Sequence, residues 1–123
     1  MFRVTQYLEE VRHPTPVGPK RHPPGPVVIW NLIRRCNLAC QHCYSISADI
    51  DFPGELSTPD IYRTMDDLKS FGVPVLILSG GEPLLHPDIW EIGTRAKALG
   101  FYVGLSTNGT LIDAANVGRL AAV

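Results

Sequence analysis

The stretch that decides the fold is VLILSGGEP, residues 75–83. Its first five residues are apolar or small and include the β-branched Val75 and Ile77, which predicts a short strand buried on both faces. Gly80 and Gly81 follow where that strand ends, and glycines let a backbone approach a neighbouring group closely. Such strands are typical of parallel sheets covered by helices, so the stretch favours an α/β fold.

Two further strands are predicted on either side of this stretch. VVIWNLI, at Val27–Ile33, is mostly apolar and rich in β-branched residues, and residues 101–106, FYVGLS, are mostly apolar. Helical segments separate the three strands. The order βαβαβα predicts parallel strands joined by right-handed crossovers, with the helices outside the sheet.

The helices carry recognisable start and stop signals. The first is predicted to begin with Thr58 as its N-cap, followed by proline and aspartate, and to end at Gly72. The second is predicted over residues 88–99, with a glycine as its stop. A third is predicted from Leu111 to the end of the chain. These signals place a helix after each strand.

The chain before the first strand differs from the rest. Residues 1–12 are weakly helical by pattern, and residues 14–26 contain six prolines. Proline lacks a backbone donor and fixes its own torsion, so this stretch predicts an extended arm, either a solvated spacer or a strap against the rest of the protein. We therefore divide the chain into an N-terminal segment with its Pro-rich arm, residues 1–26, and a core domain, residues 27–123.

Composition excludes several classes of protein. The net charge is −1, which gives no general reason to expect nucleic-acid binding. The longest apolar run, residues 73–78, is too short to cross a membrane. The first ten residues carry charges where a signal peptide has its apolar core. Residues 1–35 carry six Lys/Arg against two Glu. The three cysteines fit a reducing compartment, so we expect a cytoplasmic protein that binds neither membrane nor nucleic acid.

All three cysteines fall in one loop after the first strand, as Cys36-x3-Cys40-x2-Cys43. Thiols clustered in a short loop indicate a metal site. Zinc is one candidate, with His42 or a distant histidine as fourth ligand, although zinc sites usually pair cysteines in two separate knuckles. Iron–sulfur clusters normally take four cysteines. A 4Fe–4S cluster with one iron left open for a small molecule is the other candidate.

Three motifs together resemble the signature motifs of the radical SAM superfamily. They are the cysteine loop, Gly80-Gly81-Glu82-Pro83 after the second strand, and Ser106-Thr107-Asn108-Gly109 after the third. The resemblance implies that each cysteine holds one iron of a 4Fe–4S cluster and that S-adenosylmethionine (SAM) chelates the fourth. It places His42 beside the cluster, and Gly80, Gly81, Glu82 and Pro83 at the amino group of SAM. Ser106, Thr107 and Asn108 would lie beside SAM.

Two positions within these motifs carry specific expectations. Glu82 is interpreted as either a polar partner for the SAM ammonium or an anchor for its loop. A side chain introduced at Gly81 is expected to weaken SAM binding while leaving the cluster in place, because backbone must approach the ligand there.

The flanking segments resemble the branch of the superfamily that acts in heme d1 biosynthesis. That resemblance implies a 5′-deoxyadenosyl radical, a didecarboxysirohaem-type tetrapyrrole that loses propionate side chains, and a low-potential electron donor such as ferredoxin or flavodoxin. The basic residues Lys20, Arg21, Arg34 and Arg35 would suit an anionic tetrapyrrole or would simply be solvated. A peptide- or cofactor-maturing radical SAM enzyme and a non-catalytic zinc module remain alternatives.

The resemblance also implies a barrel larger than this chain. Members use about six βα units in a partial (β/α)6 TIM-like barrel, and three are predicted here. We therefore expect the N-terminal half of the barrel of a longer enzyme, which is inactive by itself because the cofactor's later contacts are absent.

Overall fold

The computed structural model describes residues 11–13 and 25–122. Its three parallel strands lie in the order β1-β2-β3, with β1 at Val27–Ile33, β2 at Val75–Gly80 and β3 at Tyr102–Leu105. The predicted α/β fold and parallel sheet are confirmed. The predicted helical pattern over residues 1–12 and the Pro-rich arm lie almost entirely outside the described residues.

Helix α1 spans Thr58–Ser70 and begins one residue earlier than predicted. Ser57 is its N-cap: the backbone there is extended, and the side chain accepts a hydrogen bond from Asp60 N at 3.4 Å. Thr58 already belongs to the helix, and its hydroxyl donates to Asp88 instead. The prediction that Thr58 is the cap was therefore wrong. Gly72 ends the helix as predicted, with a φ of +86°.

The other two helices are α2 at Ile89–Ala98 and α3 at Val117–Ala122. The last helix was predicted to begin at Leu111 but begins later. A turn held by hydrogen bonds from its side chains precedes the helix. Asp113 Oδ1 accepts from Asn116 N at 2.9 Å, and Asn116 Oδ1 accepts from Asp113 N at 3.0 Å. This reciprocal pair resembles a capping box, which marks a helix start. A short 3₁₀ helix, Pro83–Leu85, follows β2.

The core lies between the helices and one face of the sheet. Leu76 and Leu78 of β2 are fully buried there, together with Ile61 and Met65 of α1 and Ile92 of α2. Each such side chain contributes about 1.5–3 kcal/mol by leaving water. On the opposite face, Ile29 of β1 is 58% exposed, whereas Ile77 and Ser79 of β2 are buried. Among the described residues, no helix is long and apolar enough to cross a membrane.

Candidate functional site

The loops that follow the three strands meet at one edge of the sheet. Because the strands are parallel, their carboxyl ends share this edge, which is where α/β sheets bind ligands. Gly81 N donates to Ile33 O at 2.7 Å, which joins the second loop to the end of β1. Ser106 N donates to Leu78 O at 2.8 Å, which keeps the third loop beside β2.

The cysteine loop presents its three thiols unequally. Cys36 is 8% exposed, and its N–H donates to Ala48 O at 3.1 Å. Cys40 and Cys43 are exposed, and Cys43 N donates to Cys40 O at 3.1 Å, which makes a tight turn between them. All three thiols are free. One thiol therefore points inward and two face the open side of the loop.

Two arginines for which the sequence left both solvation and an anionic substrate open, Arg34 and Arg35, make contacts at the protein surface. The Arg35 guanidinium contacts Asp49 at 2.8 Å and Asp51 at 3.1 Å. The hydrogen bond and charge of Asp49 raise the pKa of Arg35 above its ordinary value. Arg34 lies over the Phe52 ring at 4.3 Å. Both arginines thus hold the segment after the cysteines, while Lys20 and Arg21 lie outside the described residues.

The glycine pair after β2 touches protein backbone. A Cβ at Gly80 would lie 2.4 Å from Ile33 O, and a Cβ at Gly81 would lie 2.4 Å from Arg35 O. Real Cβ atoms essentially never come this close to another atom. Both positions therefore exclude side chains because the end of β1 and the start of the cysteine loop pack directly against them.

Glu82 is fully buried and joins two of the loops. Its Oε1 accepts from Leu84 N at 2.9 Å and from the Thr107 hydroxyl at 2.7 Å. Its Oε2 accepts from Asn108 N at 2.8 Å. Of the two interpretations offered by the sequence, these contacts are those of a loop anchor. Pro83 is also fully buried and begins the 3₁₀ helix.

A closed ring of side-chain hydrogen bonds links the cysteine loop to the third loop. Asn108 Nδ2 donates to Asn37 Oδ1 at 2.9 Å, and Asn37 Nδ2 donates to the Thr110 hydroxyl at 2.8 Å. That hydroxyl donates back to Asn108 Oδ1 at 2.7 Å. Sequence reasoning identified Asn108 but missed Asn37 and Thr110. The sequence feature that could have identified Asn37 and Thr110 is that they are an amide and a hydroxyl side chain in two loops at the same edge of the sheet.

These loops enclose a cavity of about 400 Å³. Its floor is the face of the sheet opposite the helices, with Ile29, Ile77 and Ser79. Most predicted site residues line it, namely Cys40, His42, Cys43, Gly80, Gly81, Ser106, Thr107 and Asn108. Three predicted residues are not among the lining side chains: Cys36, Glu82 and Pro83, which are buried behind it.

The cysteine loop has a donor set that fits an iron–sulfur cluster. The chain has three cysteines in total, so a cubane held by them would keep one iron without a thiolate ligand. Within the described ranges, no three His, Cys, Asp or Glu side chains converge as ligands of a single metal ion. In a cluster each thiolate binds a different iron, so the thiols need not converge on one point.

Comparison with known proteins assigns the family. The family model of the radical SAM superfamily matches residues 30–123, and the chain belongs to this superfamily. It is 52% identical to a pre-heme d1 synthase of Dinoroseobacter shibae over 123 residues, which cover 100% of the chain and 30% of that protein. It is also 52% identical to an Fe-coproporphyrin III synthase of Methanosarcina barkeri over 88 residues, 72% of the chain and 22% of that protein.

A third relative is named as a maturase, whereas the first two are named as synthases of pre-heme d1 and Fe-coproporphyrin III. The mycofactocin maturase MftC of Mycobacterium ulcerans is 44% identical over 93 residues, 76% of the chain and 25% of that protein. The chain thus spans less than a third of the length of these three relatives.

Proposed function

We propose that the chain binds a 4Fe–4S cluster through Cys36, Cys40 and Cys43, and SAM in the neighbouring cavity. The observation that carries this proposal is that Cys40 and Cys43 line the same cavity as the loops after β2 and β3. A cavity of about 400 Å³ is within the range of small-ligand sites. The bound pair would supply a 5′-deoxyadenosyl radical by one-electron cleavage of the sulfonium.

The residues of the chain would bind and orient these groups. Ile29 and Ile77 offer an apolar floor, and the hydroxyls of Ser79 and Ser106 offer hydrogen bonds at its edge. The Gly80-Gly81 backbone borders the cavity on one side and packs on β1 on the other. His42 lies on the cysteine side of the cavity, consistent with a place beside the cluster.

Metal content tests the cofactor proposal and separates it from a zinc module. After anaerobic reconstitution, we expect iron and sulfide near four of each per chain, and no zinc. Changing any one cysteine to alanine should abolish the cluster, because two thiolates cannot hold three irons. Ser45→Ala, at another residue lining the cavity, is the matched control and should keep full iron. A triple cysteine variant that retained iron and sulfide would refute the assignment.

We also propose that the protein acts on a tetrapyrrole of the didecarboxysirohaem type and removes propionate side chains. The names of the pre-heme d1 synthase and Fe-coproporphyrin III synthase support this substrate class. The match to the pre-heme d1 synthase covers the whole chain, including residues 1–26. A low-potential donor such as ferredoxin or flavodoxin would supply the electron, and a cytoplasmic location stays a prediction.

A maturase is the second candidate, because of the 44% identity to mycofactocin maturase MftC. Chimeras separate the two. The chain would replace the matching segment of the D. shibae pre-heme d1 synthase, and in parallel the matching segment of the maturase. We expect the first chimera to retain its activity and the second to lose it. The Cys36→Ala form of the first chimera is the inactive control, and the reverse pattern would favour the maturase.

The chain by itself should bind these cofactors without converting a tetrapyrrole. Its cavity is open to solvent, since Ile29 in the floor is 58% exposed, and a radical reaction needs a closed, dry site. An anaerobic assay of the purified 123-residue chain with reductant, SAM and didecarboxysirohaem tests this expectation. Several turnovers to a propionate-free product would contradict it.

A further inference from the structure

The Glu82 side chain accepts three hydrogen bonds through its two carboxylate oxygens. Two of its donors are the backbone N–H groups of Leu84 and Asn108, which cannot accept a hydrogen bond. A glutamine in the same place would turn its NH₂ group toward one of them. One buried N–H would then lose its acceptor.

The third donor, the Thr107 hydroxyl, also has a defined hydrogen-bond direction. The Thr107 hydroxyl donates to Glu82 Oε1 and accepts from Gly109 N at 3.0 Å. Glu82 N in turn donates to Arg35 O at 2.8 Å, next to the first cysteine. Through its carboxylate and its backbone N–H together, Glu82 therefore connects the ends of all three strands, and it does not line the cavity.

From Glu82 the contacts continue to the sulfur of Cys36. Asn108 Oδ1 accepts from Thr110 N at 2.9 Å, and because that N–H can only donate, the amide orientation of Asn108 is fixed. Its Nδ2 consequently faces the cysteine loop, 2.9 Å from Asn37 Oδ1 and 3.9 Å from Cys36 Sγ.

We propose that Glu82 is a positioning residue that acts through Asn108 on Cys36. By holding Asn108 N, it keeps the amide donor aimed at a sulfur that would ligate the cluster, so this inference rests on the proposed cofactor site. Hydrogen bonds to ligand sulfurs tune cluster potentials. A donor stabilises the more negative, reduced state, so the contact raises the reduction potential.

The first test is an EPR-monitored redox titration of the reconstituted protein. Asn108→Leu should lower the potential. Glu82→Gln also removes a buried negative charge, which by itself raises the potential, so the two changes are compared in a double-mutant cycle: Glu82→Gln should shift the potential more positively in the Asn108→Leu background than in the wild type. Glu91→Gln removes an exposed carboxylate on α2 and is the matched control, expected to leave the potential unchanged. Additive shifts, or an unchanged potential in Asn108→Leu, would overturn the proposal.

The second test needs no cluster, so it separates failure of this inference from failure of the cofactor proposal. In the metal-free protein, Glu82→Gln should speed hydrogen exchange of the Asn108 and Leu84 amides by about tenfold or more, with core amides of β2 unchanged. Unchanged exchange at Asn108 would overturn the proposal. If Glu82→Gln does not fold, Asn108→Leu still decides, because it keeps the backbone N–H that Glu82 holds.

Discussion

A Cβ atom on Gly81 would lie 2.4 Å from the carbonyl oxygen of Arg35. The same atom would lie 2.6 Å from the carbonyl oxygen of Arg34. These carbonyls begin the cysteine loop, and Glu82 N donates to one of them. The absence of a side chain at Gly81 thus allows the loop after β2 to pack directly against the loop that carries the thiols.

Gly81→Ala should therefore disturb the cysteine loop as well as the cavity wall. We expect lower iron and sulfide content after reconstitution together with weaker SAM binding, because rigid backbone must shift to admit the methyl group. The matched control is Gly118→Ala in α3, where a Cβ meets nothing within 4 Å. A Gly81→Ala protein with a full cluster and weakened SAM binding would instead agree with the expectation from sequence.

Ser106→Leu should weaken SAM binding without removing the cluster. Ser106 lines the cavity and is exposed to it, so a larger apolar side chain takes space that the ligand needs. We expect at least about a tenfold rise in Kd, or about 1.4 kcal/mol, by calorimetry on the reconstituted protein. Ser70→Leu, on the exposed end of α1, should leave Kd unchanged, and an unchanged Kd for Ser106→Leu would place SAM elsewhere.

Leu78→Ala should destabilise the fold strongly. Leu78 is fully buried in β2 against the helices, and its truncation leaves a cavity that costs about 2–5 kcal/mol. Phe71→Ala is the control, since Phe71 is 77% exposed and surface changes usually stay within about 0.5 kcal/mol. Denaturant titration of both variants gives the comparison. Equal effects would mean that the helix-covered face of the sheet is not the core.

His86 should make stability depend on pH. Burial lowers the pKa of His86 below 6.5, although the charges of Asp88 and Glu55 act to raise it. The unfolded chain therefore binds this proton more readily than the folded one. The stability contribution is complete above about pH 6.5 and is lost as the pH falls toward the lower folded pKa.

His86→Asn tests this dependence. The asparagine can keep an acceptor for Asp88 N, which lies 3.1 Å from His86 Nδ1, but does not titrate. We expect the drop in unfolding free energy between about pH 7.5 and 5.5 to be smaller in the variant than in the wild type. The same drop in both would assign the acid sensitivity to other groups.

The regular elements were predictable because their signals are local. VVIWNLI and VLILS are short apolar runs, and the strands β1 and β2 contain them. The helix starts were harder to predict, because adjacent residues can carry the same local signal. Ser57 and Thr58 are both good caps, and only the extended backbone at Ser57 distinguishes them. The Asp113–Asn116 pair delays α3 by contacts that a periodicity argument does not include.

The interior of the candidate site could not be predicted in the same way. The motifs predicted which loops carry the chemistry, and most of their residues do line one cavity. The partners of Glu82 could not be read from a pattern, because Thr107 and Asn108 lie 25 and 26 residues away from it. Asn37 and Thr110 were missed because their hydrogen bonds exist only once three strands are side by side.

The ring of Asn37, Asn108 and Thr110 also sets an order of events during synthesis. Asn37 and Asn108 are 71 residues apart, so at 5–20 residues per second the ribosome needs about 4–14 s between them. During that interval the cysteine loop lacks its third-strand partners, so Cys36, which is buried in the folded protein, is accessible to oxidants and to other metal ions. We expect stalled nascent chains that end before Asn108 to be alkylated at Cys36 faster than longer ones. Delivery of iron and sulfide would therefore be productive only after β3 has left the ribosome.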